Sequence, residues 1–400
     1  MPEAKRPISM LLAAPGLVCR RGFGPTEHVL SLASAFGLHE EVSLDLLFGR
    51  LEGEAPRGPF RFHVLGERGG RGRSDSLTLG VDPLAYLRHW RELALFLRQH
   101  AAYDLAIERL WGFGGFIGRR LSRRGALLIF EENGPLRWRR SIDSPGNALR
   151  WIYFHVAHLR LCRVYRRAYR VVVQTEGLAR RLEGEFRIPR SMLVVIPNAV
   201  EMAVHPREEG SVAEEARRGV RLVYAGSVDR AHDLRPLVEA VVRTRSSGKD
   251  LVLHVFGAGE ELPALQALAP PPEAVVWHAP VPPDRLAAEL LRMDLGVAPY
   301  ASDLFERQGF EYAPLKVLQY MAADLPVATM PGGPAAGLVE HARNGFLVAN
   351  TAEAWTRLLG ELPPAPRLRA MGQGNATRVE GRSWSAVAAA YLRLYMEQRP

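Results

Sequence analysis

The chain alternates short apolar runs, rich in leucine and β-branched residues, with segments long enough to form helices. This alternation constrains the fold most, because continuous apolar strands separated by helices are typical of parallel sheets covered on both faces. The runs form two series. The first is Ser9–Ala14, Ser43–Phe48, Leu105–Glu108, Ala126–Glu131, Arg170–Gln174 and Leu193–Pro197, and the second is Arg221–Ala225, Leu251–Phe256, Ala274–His278, Leu295–Pro299, Pro326–Thr329 and Gly345–Val348.

Two series of strands predict two open α/β domains that meet across a cleft. The length agrees, because 400 residues are more than one hydrophobic core usually serves. We expect one domain over residues 1–200 and another over residues 220–375, joined by a polar linker, residues 201–219. Residues 376–400 contain apolar side chains at helical spacing, and we expect this helix to pack back toward the first domain.

The composition is that of an ordinary globular protein, with 47% apolar and 24% charged residues. The two cysteines, Cys19 and Cys162, fit neither a metal spacing nor a disulfide framework, which favours a reducing compartment. No apolar stretch approaches the ~18 residues that a membrane-spanning helix needs. We therefore expect a cytoplasmic protein, either soluble or resting on the cytoplasmic face of a membrane.

The formal net charge of +9 is unevenly distributed. Residues 1–200 carry 31 Lys and Arg against 19 Asp and Glu, whereas residues 201–400 carry 21 against 24. Arginines gather near aromatic residues at 119–124, 137–140 and 160–170. One interpretation is a surface that settles on anionic lipid, and the other is the solvated face of a core helix. Nucleic acid is not expected, because no motif that reads bases accompanies the arginines.

The most informative segment is Phe310–Thr329. It places Glu311 in a loop, followed by a helix that begins near Pro314. Lys316 lies in the first turn, where the helix dipole disfavours a cation unless an anion binds there. Gln319 follows at i+3 and shares a face with Lys316. This combination suits a diphosphate with a sugar on one side and a ribose on the other, and the alternative is a solvated lysine on a core helix.

This segment resembles the donor-binding signature of retaining glycosyltransferases of family 4, which have the GT-B fold of two Rossmann-like, doubly wound α/β domains facing a cleft. The family pattern is a glutamate, seven residues and a second glutamate, and a subset reads Pro-Leu-Lys…Tyr-Met-Ala. Glu311 takes the first position, Pro314-Leu315-Lys316 matches the subset, and Gln319 replaces the second glutamate. Further segments resemble the family in order, namely Val195–Val200, Val223–Ser227, Val255–Glu260, Asp294–Pro299 and Pro331–Gly345.

The resemblance implies roles on the donor side. Glu311 and Lys316 would be catalytic, the first contacting the hydroxyls of the transferred sugar and the second neutralising the diphosphate. The family often has Arg and Lys in its phosphate loop where this chain has Ser227 and His232, and Arg230 would supply the missing charge. The other donor-binding positions implied are Gly226, Ser227, Gly257, His278, Leu315, Gln319 (ribose hydroxyls), Gly332 and Gly333.

On the acceptor side, Gly22, Phe23, Gly24, Glu132 and Asn133 occupy loops similar to those of the family. No Asp-x-Asp or histidine cluster is present, so we expect neither a metal nor another cofactor. The implied function is transfer of a sugar, with retention, from a nucleoside diphosphate to a glycan or a lipid-linked acceptor. The departures at positions 227, 232 and 319 leave open a non-catalytic relative that binds a nucleotide sugar or a protein partner, and fold alone also leaves open a nucleotide-sugar epimerase.

Overall fold

The computed structural model of the protein describes residues 6–21, 23–65, 83–100, 102–110, 115–133, 158–200, 219–268, 270–302 and 315–398, with only the backbone described for 83–89. The described residues form two compact units. The first draws on Met1–Arg20, Pro25–Pro197 and Trp384–Pro400, and the second on Arg21–Gly24 and Asn198–Ser383. Of the predicted linker, residues 201–218 lie outside the described residues.

The first unit is built on a parallel sheet. Its described strands are β1 (Ile8–Cys19), β2 (Val42–Leu51), β3 (Arg61–Val64), β4 (Leu105–Arg109), β5 (Leu127–Glu132), β6 (Arg170–Val173) and β7 (Leu193–Val195). They lie in the order β3-β2-β1-β4-β5-β6-β7. The order of connection reverses between β1 and β4, and ligands of such sheets bind beyond the carboxyl ends of the strands at this point.

Helices α2 (Pro83–Gln99), α3 (Phe116–Ser122), α4 (residues 158–165) and α5 (Glu176–Phe186) cover this sheet. Their apolar side chains share one core cluster with the strands. Two further helices, α1 (Gly24–Phe36) and α14 (Trp384–Met396), pack against each other. His28 and Trp384 have ring centroids 4.9 Å apart, and those of Phe36 and Tyr391 are 5.9 Å apart. The helix at the end of the chain is therefore part of the first unit.

The second unit is built on another parallel sheet, in the order β10-β9-β8-β11-β12-β13 among the described strands. These are β8 (Val220–Ala225), β9 (Leu251–Phe256), β10 (Val275–His278), β11 (Leu295–Ala298), β12 (Val327–Thr329) and β13 (Gly345–Leu347). The order reverses between β8 and β11. The helices described around this sheet are α6 (Arg235–Ser246), α7 (Leu262–Gln266), α8 (Pro283–Leu290), α9 (Leu315–Ala322), α10 (Gly333–Ala336), α11 (Ala352–Glu361), α12 (Ala365–Gly372) and α13 (Asn375–Val379).

The α/β class and the two parallel sheets predicted from the sequence are confirmed, and each predicted strand is present with small differences at its ends. The largest difference is β1, which continues to Cys19 rather than ending at Ala14. The sequence pattern missed β3, a four-residue edge strand with no fully buried side chain. Such a strand lacks the continuous apolar run by which the others were recognised. No described helix has both the length and the apolar character needed to cross a membrane.

Candidate functional site

A cavity of about 400 Å³ opens in the second unit beside the point where the strand order reverses. Three loops form it, which follow the carboxyl ends of β8, β9 and β11. The backbone N–H of Ala301, after β11, donates to the carbonyl of Ala231, after β8, and joins two of these loops. The volume falls within the range of small-molecule sites. The lining residues are Asp229, Arg230, His232, Asp233, Leu234, Arg235, Glu261, Leu265 and Ala301.

Glycines allow the loops after β8 and β9 to pack backbone against backbone. A Cβ atom on Gly257 would lie 2.2 Å from the carbonyl oxygen of Gly226, and one on Gly259 would lie 2.0 Å from that of Val228. Neither carbonyl can move away cheaply, because Gly226 N–H also donates to the Phe256 carbonyl and Val228 N–H to the Ala258 carbonyl. This contact is the physical reason for the Gly-x-Gly pattern after β9, and Gly226 itself has a φ of +143°.

Lys316 reaches under the loop after β8 from the second position of α9. Its Nζ donates to the Tyr224 hydroxyl at 2.8 Å and lies 4.1 Å from the centroid of the Tyr224 ring. The Tyr224 hydroxyl in turn donates to the Ser227 carbonyl. A Cβ atom on Gly226 would lie 3.2 Å from both Cε and Nζ of Lys316. The lysine is 8% exposed, so its amine contacts the loop from below rather than projecting into solvent.

Burial lowers the pKa of Lys316 to about 7, against the attraction of Asp229. Burial alone would raise the pKa of Asp229, but the hydrogen bond from His232 and the charges of His232 and Lys316 hold it well below its usual range. Asp229 Oδ1 lies 2.9 Å from His232 Nδ1 and accepts the backbone N–H groups of Ala231 and His232 at 2.9 and 3.1 Å. The loop therefore carries an ordered Asp-His pair at the cavity wall, close enough for the charge of Lys316 to act on Asp229.

The other donor-side residues predicted from the sequence lie at different depths in the second unit. His278 ends β10, stacks on Phe256 with ring centroids 4.2 Å apart, and lies 3.0 Å through Nε2 from His254 Nδ1. Burial lowers the pKa of His278. Leu315 and Gln319 are half-buried on α9, whereas Gly332 and Gly333 are exposed with positive φ. Glu311 lies outside the described residues, so its position relative to Lys316 remains a prediction.

In the first unit, a buried polar cluster lies at the carboxyl ends of β4, β5 and β6 and contacts α1. His28 Nε2 is 2.6 Å from Glu131 Oε1, and Arg109 Nη1 is 3.6 Å from the same oxygen. Although burial opposes its ionisation, the charges of His28 and Arg109 lower the pKa of Glu131 to about 2. Burial in turn lowers the pKa of Arg109, against the Glu131 charge. The pair Arg109 and Glu131 also lies in register across β4 and β5.

The predicted acceptor-side residues Glu132 and Asn133 border this cluster. Glu132 Oε2 accepts the Tyr165 hydroxyl at 2.7 Å. The Asn133 side chain donates to Glu131 and accepts from Gln174. Both residues therefore have partners within the first unit, which hold the end of β5 in one conformation. Phe23 precedes α1 and Gly24 begins it, whereas Gly22 lies outside the described residues.

Sequence reasoning did not assign a role to Tyr224, Asp229, His28 or Arg109. Tyr224 looks like an ordinary apolar strand residue, and His28 and Arg109 meet Glu131 only through the tertiary fold. Asp229 and His232 carried a local signal, the spacing of three residues that lets two side chains meet in a turn. Among the described residues, no group of three His, Cys, Asp or Glu side chains is arranged to hold a metal ion.

Family models cover most of the chain. Residues 24–204 match the model for Glycosyltransferase Family 4, and residues 219–362 match the model for Glycosyl transferases group 1. No curated protein matches the sequence. The first range contains α1 and strands β2–β7 of the first sheet, and the second range contains all the described strands of the second sheet, together with the cavity and Lys316.

Solved structures share the fold at low sequence identity. A sucrose-phosphate synthase from Thermosynechococcus elongatus superposes with a TM-score of 0.72 at 16% identity, covering 98% of this chain and 99% of that one. WaaG, a glycosyltransferase involved in lipopolysaccharide biosynthesis, gives 0.69 at 12% identity, covering 96% and 99%. HepE from Anabaena, in complex with UDP and glucose, gives 0.67 at 12% identity, covering 98% and 100%. At these identities the likeness establishes a shared fold.

Proposed function

Because both halves of this chain match glycosyltransferase families and its two units have the GT-B fold, we propose that it transfers a sugar from a nucleoside diphosphate to a hydroxyl group, with retention of anomeric configuration. The second unit would hold the donor and the first the acceptor, a glycan or a lipid-linked sugar. The observation that carries this proposal is the buried Lys316 beneath the glycine loop after β8, next to a ligand-sized cavity.

The location of the cavity supports donor binding. Parallel sheets of this kind bind nucleotides where the strand order reverses, and the loops after β8 and β11 meet there. The lining holds Arg230 and Arg235 beside three carboxylates, those of Asp229, Asp233 and Glu261. The two arginines are the groups that would bind the phosphates of a donor. His278 would border the base, and Gln319 the ribose, as the resemblance to family 4 implies.

The chemistry of departure supports a role for Lys316. When the sugar leaves, negative charge accumulates on the nucleoside diphosphate, and fixed positive groups at that point lower the barrier. A diphosphate on the loop at Gly226–Asp229 would lie over the Lys316 amine and raise its pKa again. Gly332 and Gly333 are exposed. Their backbone N–H dipoles would also stabilise the negative charge of the leaving group, without any proton transfer. Glu311 would contact the hydroxyls of the transferred sugar.

A nucleotide panel tests the donor half of this proposal. Calorimetry of the full chain with UDP-, GDP-, ADP- and dTDP-sugars should identify one base, and binding should weaken at least about tenfold in Lys316→Ala, the loss of one charged contact. Lys249→Ala is the matched control, because Lys249 lies in the same unit but donates to the carbonyls of Gly360 and Leu362, away from the cavity. Binding of none of these nucleotides by the folded protein would contradict the proposal.

A turnover assay separates transfer from the alternatives. With the identified donor and hydroxyl acceptors, we expect release of nucleoside diphosphate and a product of retained configuration. Donor binding without hydrolysis or transfer would instead assign a non-catalytic relative. A changed sugar that is still attached to its nucleotide, in the absence of acceptor, would assign an epimerase.

A further inference from the structure

Three helices of the first unit form one continuous outer surface. Trp90 of α2 lies with its ring centroid 4.3 Å from that of Phe116, the first residue of α3. The Arg160 guanidinium of α4 lies 5.6 Å from the Trp90 ring centroid. Before α3, Gly115 packs so closely on Val164 of α4 that a Cβ atom would lie 2.1 Å from it. The apolar sides of α2, α3 and α4 all enter the same core cluster, so their opposite sides face outward together.

This outer surface is cationic with almost no acidic residues. In the stretches 90–99, 116–125 and 158–170, Glu92 is the one acidic residue. The exposed arginines of α3 and α4 and of the turns that follow them define what we call the arginine face. They are Arg119, Arg123, Arg124, Arg163, Arg166 and Arg167.

The arginine face lacks acidic neighbours. Arg119, Arg123, Arg163 and Arg167 form no ion pair with any described residue. Several exposed arginines of the second unit lie on elements that also carry acidic residues: Arg243 pairs with Glu239, Arg343 pairs with Glu340, and Arg357 shares α11 with Glu353 and Glu361. Like charges gathered without counter-charges repel one another and destabilise the folded surface modestly. An anionic partner would remove that repulsion.

Apolar side chains on the same helices indicate the kind of anion. Leu95 of α2 and Leu159 of α4 are each 46% exposed. Exposed leucines beside arginines fit a bilayer interface, where the leucine enters the acyl boundary and the guanidinium binds lipid phosphate. A nucleic acid or a soluble polyanion would use the arginines and gain nothing from the leucines. We infer that the arginine face docks on an anionic lipid bilayer. This goes beyond the proposed function, because docking does not require that transfer occur.

Vesicle sedimentation of the full chain tests the inference. We expect binding to vesicles of phosphatidylcholine with phosphatidylglycerol, little binding to phosphatidylcholine alone, and release as salt is raised. The double variant Arg163→Glu/Arg167→Glu should bind at least about 30-fold more weakly, since each arginine contributes about 1 kcal/mol at an anionic surface. The matched control is Arg357→Glu/Arg367→Glu, the same charge change at exposed positions of the second unit, and it should bind like the wild type.

Further arms decide the outcome. Leu159→Ser should weaken vesicle binding several-fold without altering the net charge. Equal binding by the two double variants, or no binding by the wild type, would overturn the inference. The inference would also be overturned if the protein bound heparin or duplex DNA and the Leu159→Ser change left both that binding and vesicle binding intact. Binding of the nucleotide-sugar donor, measured without lipid, shows that each variant is folded. A failure of donor binding and a failure of vesicle binding can be told apart, because the two are measured separately.

Discussion

The ε-amino group of Lys316 donates a hydrogen bond of 2.8 Å to the hydroxyl of Tyr224, a residue 92 positions earlier in the chain. Because that hydroxyl donates to the Ser227 carbonyl, one tyrosine connects a buried cation with the glycine loop above it. The loop after β8 therefore depends on a strand residue that does not line the cavity.

Tyr224→Phe should weaken nucleotide-sugar binding by up to roughly 30-fold, because it removes two buried hydrogen bonds of about 1 kcal/mol each and keeps the ring. Calorimetry of the variant measures the effect. Tyr165→Phe is the control, since it removes a buried hydroxyl that donates to Glu132 in the first unit and should leave donor binding unchanged. If Tyr224→Phe bound the nucleotide sugar as tightly as the wild type, the hydrogen bonds of the Tyr224 hydroxyl would not support the loop after β8.

The second unit of the wild-type protein should become more stable as the pH rises above 7, and Lys316→Met should remove this increase. Because burial lowers the pKa of Lys316 from 10.5 to about 7 in the folded protein, the unfolded chain binds more protons between these values. Stability of the second unit should therefore increase from pH 7 to pH 9, by at most about 1.4 kcal/mol per pH unit. Urea unfolding at several pH values measures the slope. A slope that is unchanged in Lys316→Met, relative to Lys249→Met, would contradict the assignment.

Gly257→Ala should destabilise the second unit by roughly 2 kcal/mol and reduce donor binding, because the new methyl group would meet the Gly226 carbonyl at 2.2 Å. Gly360→Ala offers a control of opposite sign. It lies in α11 with no atom within 4 Å of an added Cβ, so it should stabilise the unit by about 0.5–1 kcal/mol. Thermal unfolding of both variants, with and without nucleotide, checks the pair. Equal stability of the two would refute the packing argument.

Glu131→Gln should destabilise the first unit at neutral pH by about 3 kcal/mol, because Arg109 would lose its buried counter-charge. The folded-state pKa of Glu131 is lowered from 4.5 to about 2, so the stability it contributes is present above pH 4.5 and lost as the pH falls toward 2. The difference between variant and wild type should shrink over that range in acid unfolding. Glu183→Gln, an exposed change on α5, should behave like the wild type throughout.

Glu311→Ala should lower the rate of sugar transfer at least about 100-fold while nucleotide binding and folding persist, because the resemblance to family 4 assigns Glu311 to the transferred sugar. Glu306→Ala, five residues earlier, is the matched control. Initial rates at saturating donor measure the loss. If Glu311→Ala and the control turned over at the same rate, the proposed role of Glu311 at the transferred sugar would be wrong.

Much of the architecture follows from local patterns. Continuous apolar runs such as Leu251–Phe256 appear as strands at the predicted positions, and the final helix buries the apolar residues that its spacing indicated. Local patterns suffice here because strand and helix periods are properties of neighbouring residues. The sequence pattern did not predict the edge strand Arg61–Val64. This strand pairs with β2 (Asp45↔Arg61 through Phe48↔Val64) and has no continuous run of buried side chains.

The candidate site was only partly accessible to sequence reasoning. Gly226, Gly257 and Lys316 were recognised from motif order, and the structure brings these three together around one loop. The partners that decide their chemistry were not recognised. The Tyr224 hydroxyl accepts the hydrogen bond of the buried Lys316 amine, and Asp229 with His232 forms a hydrogen-bonded pair at the cavity.

By itself, the sequence determined two parallel α/β units and the order of their strands along the chain, because both depend on residues close together in the chain. The tertiary structure alone decided that the Lys316 amine lies under the loop at Gly226, that Glu131 meets His28 and Arg109, and that the arginines of α3 and α4 share one surface. These contacts join residues far apart in the chain, and only the packing of helices on sheets brings them within reach and excludes the water that would otherwise screen their charges.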